Sequence, residues 1–224
     1  MNQKMTRQKK LTDFVTFLSK QPNGFTYRDE KQAPPKARAL QTLSCKYVNC
    51  QECPLAKQGR KQVVFGNGNS NALLMFVGEG PGKDEDEQGV PFIGRAGQLL
   101  TKIIEAMGLK REEVYISNVV KCRPPENRAP LPIESNTCKD LLLLKEIDII
   151  KPQIICTLGA TATQALLGED TKLGKTRGIF TSFKGILVLP TYHPAYLLRN
   201  PAEKKTVWED MKKIMEKLKE MGPK

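Results

Sequence analysis

The chain has 224 residues, of which 39% are hydrophobic, with 36 Lys and Arg, 24 Asp and Glu, six Cys and one His. This composition suits one medium-sized globular domain with additional segments. It excludes a membrane protein, because no apolar run approaches the roughly 18 residues that span a bilayer. We expect a cytoplasmic protein, because the first twenty residues lack the apolar core of a signal peptide.

The formal net charge of +12 indicates a polyanionic partner such as nucleic acid. Half of this excess lies in residues 1–38, which contain nine Lys and Arg against three Asp and Glu. Residues 21–38 are polar, contain three prolines and show no apolar periodicity, which predicts a flexible connector. We therefore expect a flexible basic tail at 1–38 and a folded domain at 39–224. A solvated tail and an arm that follows DNA explain this charge equally well.

Apolar runs of strand length alternate with helical patterns through the predicted domain. Strands are predicted at 72–78, 114–120, 153–159 and 186–190, and helices at 96–108, 133–150, 160–168 and 202–221. This alternation predicts an α/β fold with a mostly parallel central sheet and helices on both faces. In such sheets the functional residues lie in loops after the carboxyl ends of the strands.

The loop after the first strand, residues 78–97, contains glycines that invite comparison with a phosphate-binding loop. That interpretation fails, because Lys83 takes the place of the third glycine and the acidic run 84–87 follows it. What remains is a glycine-supported turn that can approach a flat ligand, flanked by Glu79 and Glu85. An acidic surface loop is the alternative.

Four cysteines form a candidate metal site. The pair Cys50 and Cys53 precedes the sheet, Cys122 follows the second strand, and Cys138 lies sixteen residues later in a helical segment. Thiolates with this spacing suit zinc or an iron–sulfur cluster, and spacing alone leaves both open. The other two cysteines are left out of this site. Cys45 lies five residues before the pair, and Cys156 lies in a predicted strand, where we expect a buried free thiol.

The single histidine, His193, follows the last predicted strand directly and precedes a proline. A lone histidine is more often structural than catalytic. Its loop position at the sheet edge, near the segment that contains Asn118, favours a functional role. An imidazole N–H at this place would donate to an oxygen on which negative charge develops.

Together these segments resemble the iron–sulfur uracil-DNA glycosylases of bacteria and archaea, usually called family 4. The resemblance covers about residues 45–210, through the segments 50–69, 78–100, 118–130 and 190–201. It implies a three-layer αβα sandwich, hydrolysis of the N-glycosidic bond of uracil in DNA at the start of base excision repair, and a prokaryotic, nucleoid-associated enzyme. It also implies a 4Fe-4S cluster bound by Cys50, Cys53, Cys122 and Cys138.

The resemblance further implies roles for six residues around the base. Phe92 stacks on the uracil, Asn118 reads its edge, and Gly80, Glu79, Glu85 and His193 line the pocket. The Asn118 amide offers an acceptor and donors that match N3–H and O4 of uracil and mismatch cytosine. We expect His193 to stabilise the departing uracil anion and Glu79 to orient water or favour a cationic sugar. The Glu85 side of the pocket is expected to exclude the methyl group of thymine.

The base must leave the helix before it reacts, which favours mispaired or single-stranded uracil. Leu197 and Leu198 could form an apolar wedge beside Arg199, which would contact phosphate. The alternative is that the leucines pack inward. We expect a monomer that acts on single- or double-stranded DNA. The other functional hypotheses are a non-enzymatic nucleic-acid-binding protein with a structural zinc site, and a related glycosylase that removes hypoxanthine.

The tail contains a segment, residues 8–15, similar to the short peptide that docks on the replication sliding clamp. It has the form Gln-x-x-Leu-x-x-Phe-x, through Gln8, Leu11, Phe14 and Val15. Val15 stands where a second aromatic residue is usual, and a short amphipathic helix is the alternative. We favour clamp binding, because the motif lies at a free end ahead of a connector on a domain that resembles a DNA-repair enzyme.

Overall fold

The computed structural model describes residues 33–222, so the predicted clamp-binding segment at 8–15 lies outside the described residues. Within this part the sheet has six strands: β1 (Asn67–Gly68), β2 (Leu74–Gly78), β3 (Tyr115–Asn118), β4 (Ile154–Leu158), β5 (Thr181–Phe183) and β6 (Ile186–Thr191). Their spatial order is β1-β3-β2-β4-β6-β5. The four central strands are parallel, and the short edge strands β1 and β5 are antiparallel to their neighbours.

The described α-helices are α1 (Pro35–Tyr47), α2 (Lys83–Gln88), α3 (Arg95–Ala106), α4 (Pro132–Cys138), α5 (Leu144–Ile150), α6 (Ala160–Leu167), α7 (Leu173–Thr176), α8 (Pro194–Arg199) and α9 (Lys204–Met221). Short 3-10 turns lie at Pro54–Lys57, Arg111–Glu113, Pro125–Asn127 and Pro201–Glu203. The single helix predicted at 133–150 is interrupted by a π-helical segment, Lys139–Leu143. Such segments are rare and frequently mark functional sites, and this one begins directly after Cys138.

The sheet separates two hydrophobic cores, which confirms the predicted three-layer arrangement. Along β2 the side chains alternate, so that Met75 and Val77 join one core while Leu74 and Phe76 join the other. All five residues of β2 are buried, as expected for a central parallel strand covered on both faces. The first core contains Cys122 and Cys138, and the second contains residues of α3, α8 and α9.

The first helix corrects the predicted boundary between tail and domain. The predicted connector extends to residue 38, whereas α1 begins at Pro35. Proline is well tolerated at the first position of a helix, because its missing N–H would have no partner there and its φ angle is already helical. Pro34 and Pro35 therefore start a helix. Between residues 33 and 222, the helices lack the combination of length and apolar character that crossing a bilayer requires.

Candidate active site

The candidate site is built at the edge of the sheet where the four parallel strands end. Gly78 at the end of β2 is paired with Asn118 at the end of β3, and Leu158 at the end of β4 is paired with Thr191 of β6. Since parallel strands present their carboxyl ends at one edge, the loops after them converge. His193 lies two residues beyond β6, where it is the N-cap of α8.

Phe92, Asn118 and His193 meet around Gly78 and Gly159. The rings of Phe92 and His193 have centroids 5.6 Å apart and are tilted by 34°. A Cβ atom at Gly78 would lie 2.4 Å from the Phe92 ring and 2.6 Å from Asn118 Oδ1. The three residues that the sequence analysis placed around a base are thus close together, and the absence of a side chain at Gly78 makes room for them.

Phe92 has an unusual backbone conformation, with a φ angle of 55°. Bulky residues rarely adopt this left-handed region, and such strain is concentrated at functional sites. The first turn of α3 packs directly on this backbone, because a Cβ atom at Gly97 would lie 1.9 Å from the Phe92 carbonyl group. The ring is therefore held in place by its own backbone and by α3.

Asn118 presents an unsatisfied polar atom to the site. Its side chain is 2% exposed, and its Oδ1 atom accepts no hydrogen bond from any described residue. A buried acceptor without a partner costs about 1–3 kcal/mol. A ligand N–H group at this position would remove that cost.

His193 is held as a neutral imidazole. Its Nδ1 atom accepts a hydrogen bond from the backbone N–H of Ala195 at 3.1 Å, which leaves the proton of the neutral ring on Nε2. Burial, with a smaller contribution from the positive charge of Arg199, lowers the pKa of His193 from 6.5 to about 4. At neutral pH the ring is therefore an uncharged donor through Nε2.

Glu79 follows β2 and is held by α6. Its Oε2 atom accepts a short hydrogen bond from the Thr161 hydroxyl group. The neighbouring Gly80 packs closely on the segment after β3, because a Cβ atom there would lie 2.7 Å from Val120 Cγ2. Close packing at Gly80 keeps the backbone of this loop against the end of β3.

Glu85 connects the two ends of the loop that carries Phe92. Its Oε1 atom accepts from the backbone N–H groups of Ile93 and Gly94, at 3.0 and 2.9 Å, and its Oε2 atom accepts from Gly82 N–H at 3.1 Å. Asp86 is also buried and accepts from the backbone N–H of Lys61 at 3.0 Å. The alternative of an acidic surface loop is therefore wrong for these two carboxylates. Glu85 closes the loop, and Asp86 connects it to the backbone of Lys61.

The four predicted metal-binding cysteines line one small cavity on the other side of the sheet: Cys50, Cys53, Cys122 and Cys138. Two donors approach their sulfur atoms. Arg60 Nη1 lies 2.7 Å from Cys122 Sγ, and the backbone N–H of Lys121 lies 3.3 Å from Cys138 Sγ. In residues 33–222 we find no group of three or more His, Cys, Asp or Glu side chains placed to hold a metal ion.

Burial dominates the acid–base behaviour of these thiols. It raises the pKa of Cys122 to about 11 and that of Cys138 to about 12, against the lowering effects of Arg60 and Lys121 respectively. It also raises the pKa of Cys53. Because metals bind the thiolate form, loading this cavity would release protons.

In α8, the helix that begins after His193, two adjacent leucine side chains point in different directions, one into the core and one to the surface. Leu197 is 1% exposed and packs in the second core, so its predicted role in a DNA wedge is wrong. Leu198 is 38% exposed, and Arg199 is exposed beside it. The helical rotation of about 100° per residue sends one leucine inward and the next outward.

Three residues that no sequence motif singles out support the site: Lys121, Glu146 and Thr161. Lys121 and Glu146 form a buried ion pair at 2.6 Å behind Asn118. In the sequence Lys121 is one basic residue among many, and Glu146 lies in an ordinary amphipathic helix pattern. No local signal distinguishes either member of this pair.

Comparison with known proteins identifies this arrangement. The family model described as the uracil DNA glycosylase superfamily matches residues 65–214. A type-4 uracil-DNA glycosylase of Thermotoga maritima is 44% identical over 187 residues, which cover 82% of this chain and 96% of the relative. That of Saccharolobus solfataricus is 47% identical over 188 residues, with 80% and 86% covered.

A third type-4 uracil-DNA glycosylase, from Archaeoglobus fulgidus, is 39% identical over 186 residues, which cover 80% of this chain and 92% of the relative. The family match spans β1 to β6 and all the loops that form the candidate site. The chain therefore belongs to the uracil-DNA glycosylase superfamily and, within it, groups with the type-4 members.

Proposed function

We propose that this protein hydrolyses the N-glycosidic bond between uracil and deoxyribose in DNA, as the first step of base excision repair. The observation that carries the proposal is the buried, unpartnered Oδ1 atom of Asn118, placed beside the Phe92 ring and His193. The names of the type-4 relatives support the same activity.

Recognition of uracil rests on the Asn118 amide. Its Oδ1 atom would accept from N3–H of the base and its amide N–H would donate to O4. Cytosine carries an acceptor at N3 and a donor at C4, so both groups would be mispaired, at a cost of about 1–3 kcal/mol each. The Phe92 ring would support the flat face of the base.

In the proposed reaction, water attacks C1′ of the sugar and gives up one proton to solvent. The C1′–N1 bond breaks, and its electron pair leaves with the uracil, whose anion then takes up a proton from solvent. The sugar becomes cationic in the transition state and the base becomes anionic. His193 Nε2–H would donate to O2 as this negative charge accumulates. One preorganised donor of this kind is typically worth about 2.7–4 kcal/mol.

Glu79 is the proposed residue on the sugar side. Its carboxylate would orient the attacking water or stabilise the cationic sugar, while the Thr161 hydroxyl fixes its orientation. Glu85 would act on the pocket through the loop it holds, which carries Phe92. We propose that this loop, together with Gly80, leaves too little room for the methyl group of thymine.

The DNA contacts are proposed for Leu198 and Arg199. Leu198 is an exposed apolar side chain beside the site, suited to occupy the space that an extruded base leaves. Arg199 is exposed next to it and would contact a phosphate. Extrusion costs a few kcal/mol, least for a mispaired or single-stranded base, so both forms of DNA are candidate substrates.

Four thiols at one cavity are a donor set that suits an iron–sulfur cluster. The apolar residues Val63, Leu141 and Leu142 line this cavity together with Glu52, Thr137 and Lys121. We propose that Cys50, Cys53, Cys122 and Cys138 hold a 4Fe-4S cluster. When bound, the cluster would tie together segments from distant parts of the chain, and hydrolysis of a glycosidic bond needs no electron transfer. Iron and sulfide analysis with visible absorbance distinguishes it from zinc.

Incubation with oligonucleotides that carry U, T, C or hypoxanthine, followed by alkaline cleavage at abasic sites, tests the activity. We expect cleavage at U alone. The variant Asn118→Ala should lose most of this cleavage, and His193→Ala should lower its single-turnover rate by about a hundredfold or more while DNA binding stays nearly intact. No cleavage at U by folded protein that contains its cluster would refute the proposed function.

From the sequence we propose that residues 8–15 bind a sliding clamp and that residues 39–224 form the catalytic domain. We propose that α1, which begins at Pro35, belongs to this domain as well. A clamp pull-down with the 224-residue protein, compared with the double variant Leu11→Ala/Phe14→Ala, tests this. Equal capture of both proteins would refute it. We propose that the protein acts as a cytoplasmic monomer on the chromosome.

A further inference from the structure

Lys121 is a charged residue that the proposed mechanism does not use, and its side chain is fully buried. Its Nζ atom donates to three acceptors: Glu146 Oε2 at 2.6 Å, the backbone carbonyl of Asn118 at 2.8 Å, and the Ser117 hydroxyl group. An ammonium group has three protons, so each of them has an acceptor. Lys121 is therefore fixed in one arrangement.

Glu146 is equally well satisfied. Its Oε2 atom also accepts from the Ser117 hydroxyl at 2.7 Å, and its Oε1 atom accepts from the backbone N–H of Gly66 at 3.0 Å. Its side chain is 2% exposed. A buried ion pair is weak evidence for stability, since well-packed apolar side chains in its place often stabilise a protein as much or more. Stabilising the fold is therefore not a sufficient explanation for the buried Lys121–Glu146 pair, which points to another role.

Lys121 contacts both the candidate active site, through Asn118, and the cysteine cavity, through Cys138. Its side chain holds the carbonyl group of Asn118, the residue at the end of β3 whose amide faces the candidate site. Its backbone N–H donates to Cys138 Sγ, and Cys122 is its neighbour in sequence. The end of β3 is thus held from behind by the Lys121–Glu146 pair, in the segment that also carries a cysteine of the cavity.

We propose that Lys121 is a positioning residue for base recognition, acting through Asn118 in the function proposed above. By fixing the Asn118 carbonyl, Lys121 sets the direction in which the side chain leaves the backbone and keeps Oδ1 aimed at the base. An amide that moves by about an ångström no longer aligns with N3–H and O4, and misplacement on this scale can cost about a hundredfold in rate.

The test separates positioning from stability with the double variant Lys121→Met/Glu146→Gln. Removing one charge alone would leave the other buried and unpaired, which is strongly destabilising. The double variant leaves no buried charge, and the amide oxygen introduced by Glu146→Gln would still accept from the backbone N–H of Gly66. Arg128→Met/Glu134→Gln is the matched control, because this pair also has a buried carboxylate, at 2.7 Å, but does not contact Asn118.

We measure melting temperature, iron content, single-turnover cleavage of U-containing DNA and inhibition by free uracil. The Lys121/Glu146 double variant is expected to fold and to keep its iron, since all four cysteines remain. Its cleavage rate should fall at least about tenfold, and free uracil should inhibit it correspondingly more weakly. In the Asn118→Ala background the same two changes should cost nothing further, because the group they position is already gone.

Each contrary result has a distinct meaning. Wild-type cleavage by the double variant, or an equal loss with and without Asn118, overturns the positioning role. Loss of iron also overturns it, because Lys121 would then act on the cysteine cavity. An inactive wild-type protein refutes the proposed function itself, and the same assay reports it before any variant is compared.

Discussion

The protonation of His193 is a direct test of the site geometry. The ring is partly buried beside Phe92, and this loss of solvation lowers its pKa from the usual 6.5 to about 4. A tenfold change in proton affinity corresponds to about 1.4 kcal/mol, so this difference is worth about 3 kcal/mol. The unfolded chain binds a proton below pH 6.5, while the folded protein does so only near pH 4. Stability is therefore fully present above pH 6.5 and falls by this amount as the pH drops to about 4.

NMR of protein with ¹³C-labelled histidine measures this titration without assignment, because the chain contains one histidine. We expect a midpoint at about pH 4 in the folded protein. Urea unfolding of wild type and His193→Gln at several pH values isolates the contribution of this residue to stability, since the variant lacks the titrating group. The difference between the two proteins should change by about 3 kcal/mol between about pH 7 and pH 4.

A midpoint at or above pH 6.5 would refute a desolvated, neutral His193 and the proposal that its Nε2–H donates to uracil O2. The variant Arg199→Gln tests the second cause of the lowered His193 pKa, which is the positive charge of Arg199. This substitution takes away a nearby positive charge, so the pKa of His193 should rise. Burial would still hold it below the usual value, because burial is the larger cause.

Four further substitutions test the surroundings of the site. Gly78→Ala places a methyl group 2.4 Å from the Phe92 ring and 2.6 Å from Asn118 Oδ1. The rate of single-turnover cleavage should therefore fall about a hundredfold. A rate near that of the wild type would contradict the proposed pocket. Leu197→Ala should cost about 2–5 kcal/mol of unfolding free energy in urea, because the side chain is in the core. Leu198→Ala should instead leave stability within about 0.5 kcal/mol and weaken binding to U-containing duplexes in a fluorescence assay; the reverse pattern would contradict the assignment. Asp210→Ala removes the acceptor of Arg177 Nη1 and Thr191 Oγ1, which donate to it at 2.7 and 2.6 Å. The free energy of unfolding in urea should fall by about 2 kcal/mol, less than for a fully buried pair, because the Arg177 side chain is 27% exposed. An unchanged unfolding midpoint would show that this network does not stabilise the end of β6.

The central strands and the edge at which the site lies could be predicted from the sequence. Continuous apolar runs between helical patterns require a parallel sheet covered on both faces, and β2, β3, β4 and β6 lie where those runs predict them. The carboxyl ends of parallel strands share one edge, so the sequence places Asn118 and His193 at the same edge of the sheet. It does not predict the strand order, which puts β2 and β4 between β3 and β6. The edge strands β1 and β5 are only two and three residues long, too short for a periodic pattern to appear.

The burial of individual polar and apolar side chains was decided only in the tertiary structure. Leu197 and Leu198 are adjacent residues of the same type, so the sequence does not distinguish them. The orientation of α8 places Leu197 in the core and Leu198 on the surface. Lys121 and Glu146 are 25 residues apart, and each would be too costly to bury alone. Their pairing depends on a tertiary contact between α5 and the end of β3, where Glu146 accepts a hydrogen bond from Ser117. The local sequence of neither segment predicts this contact.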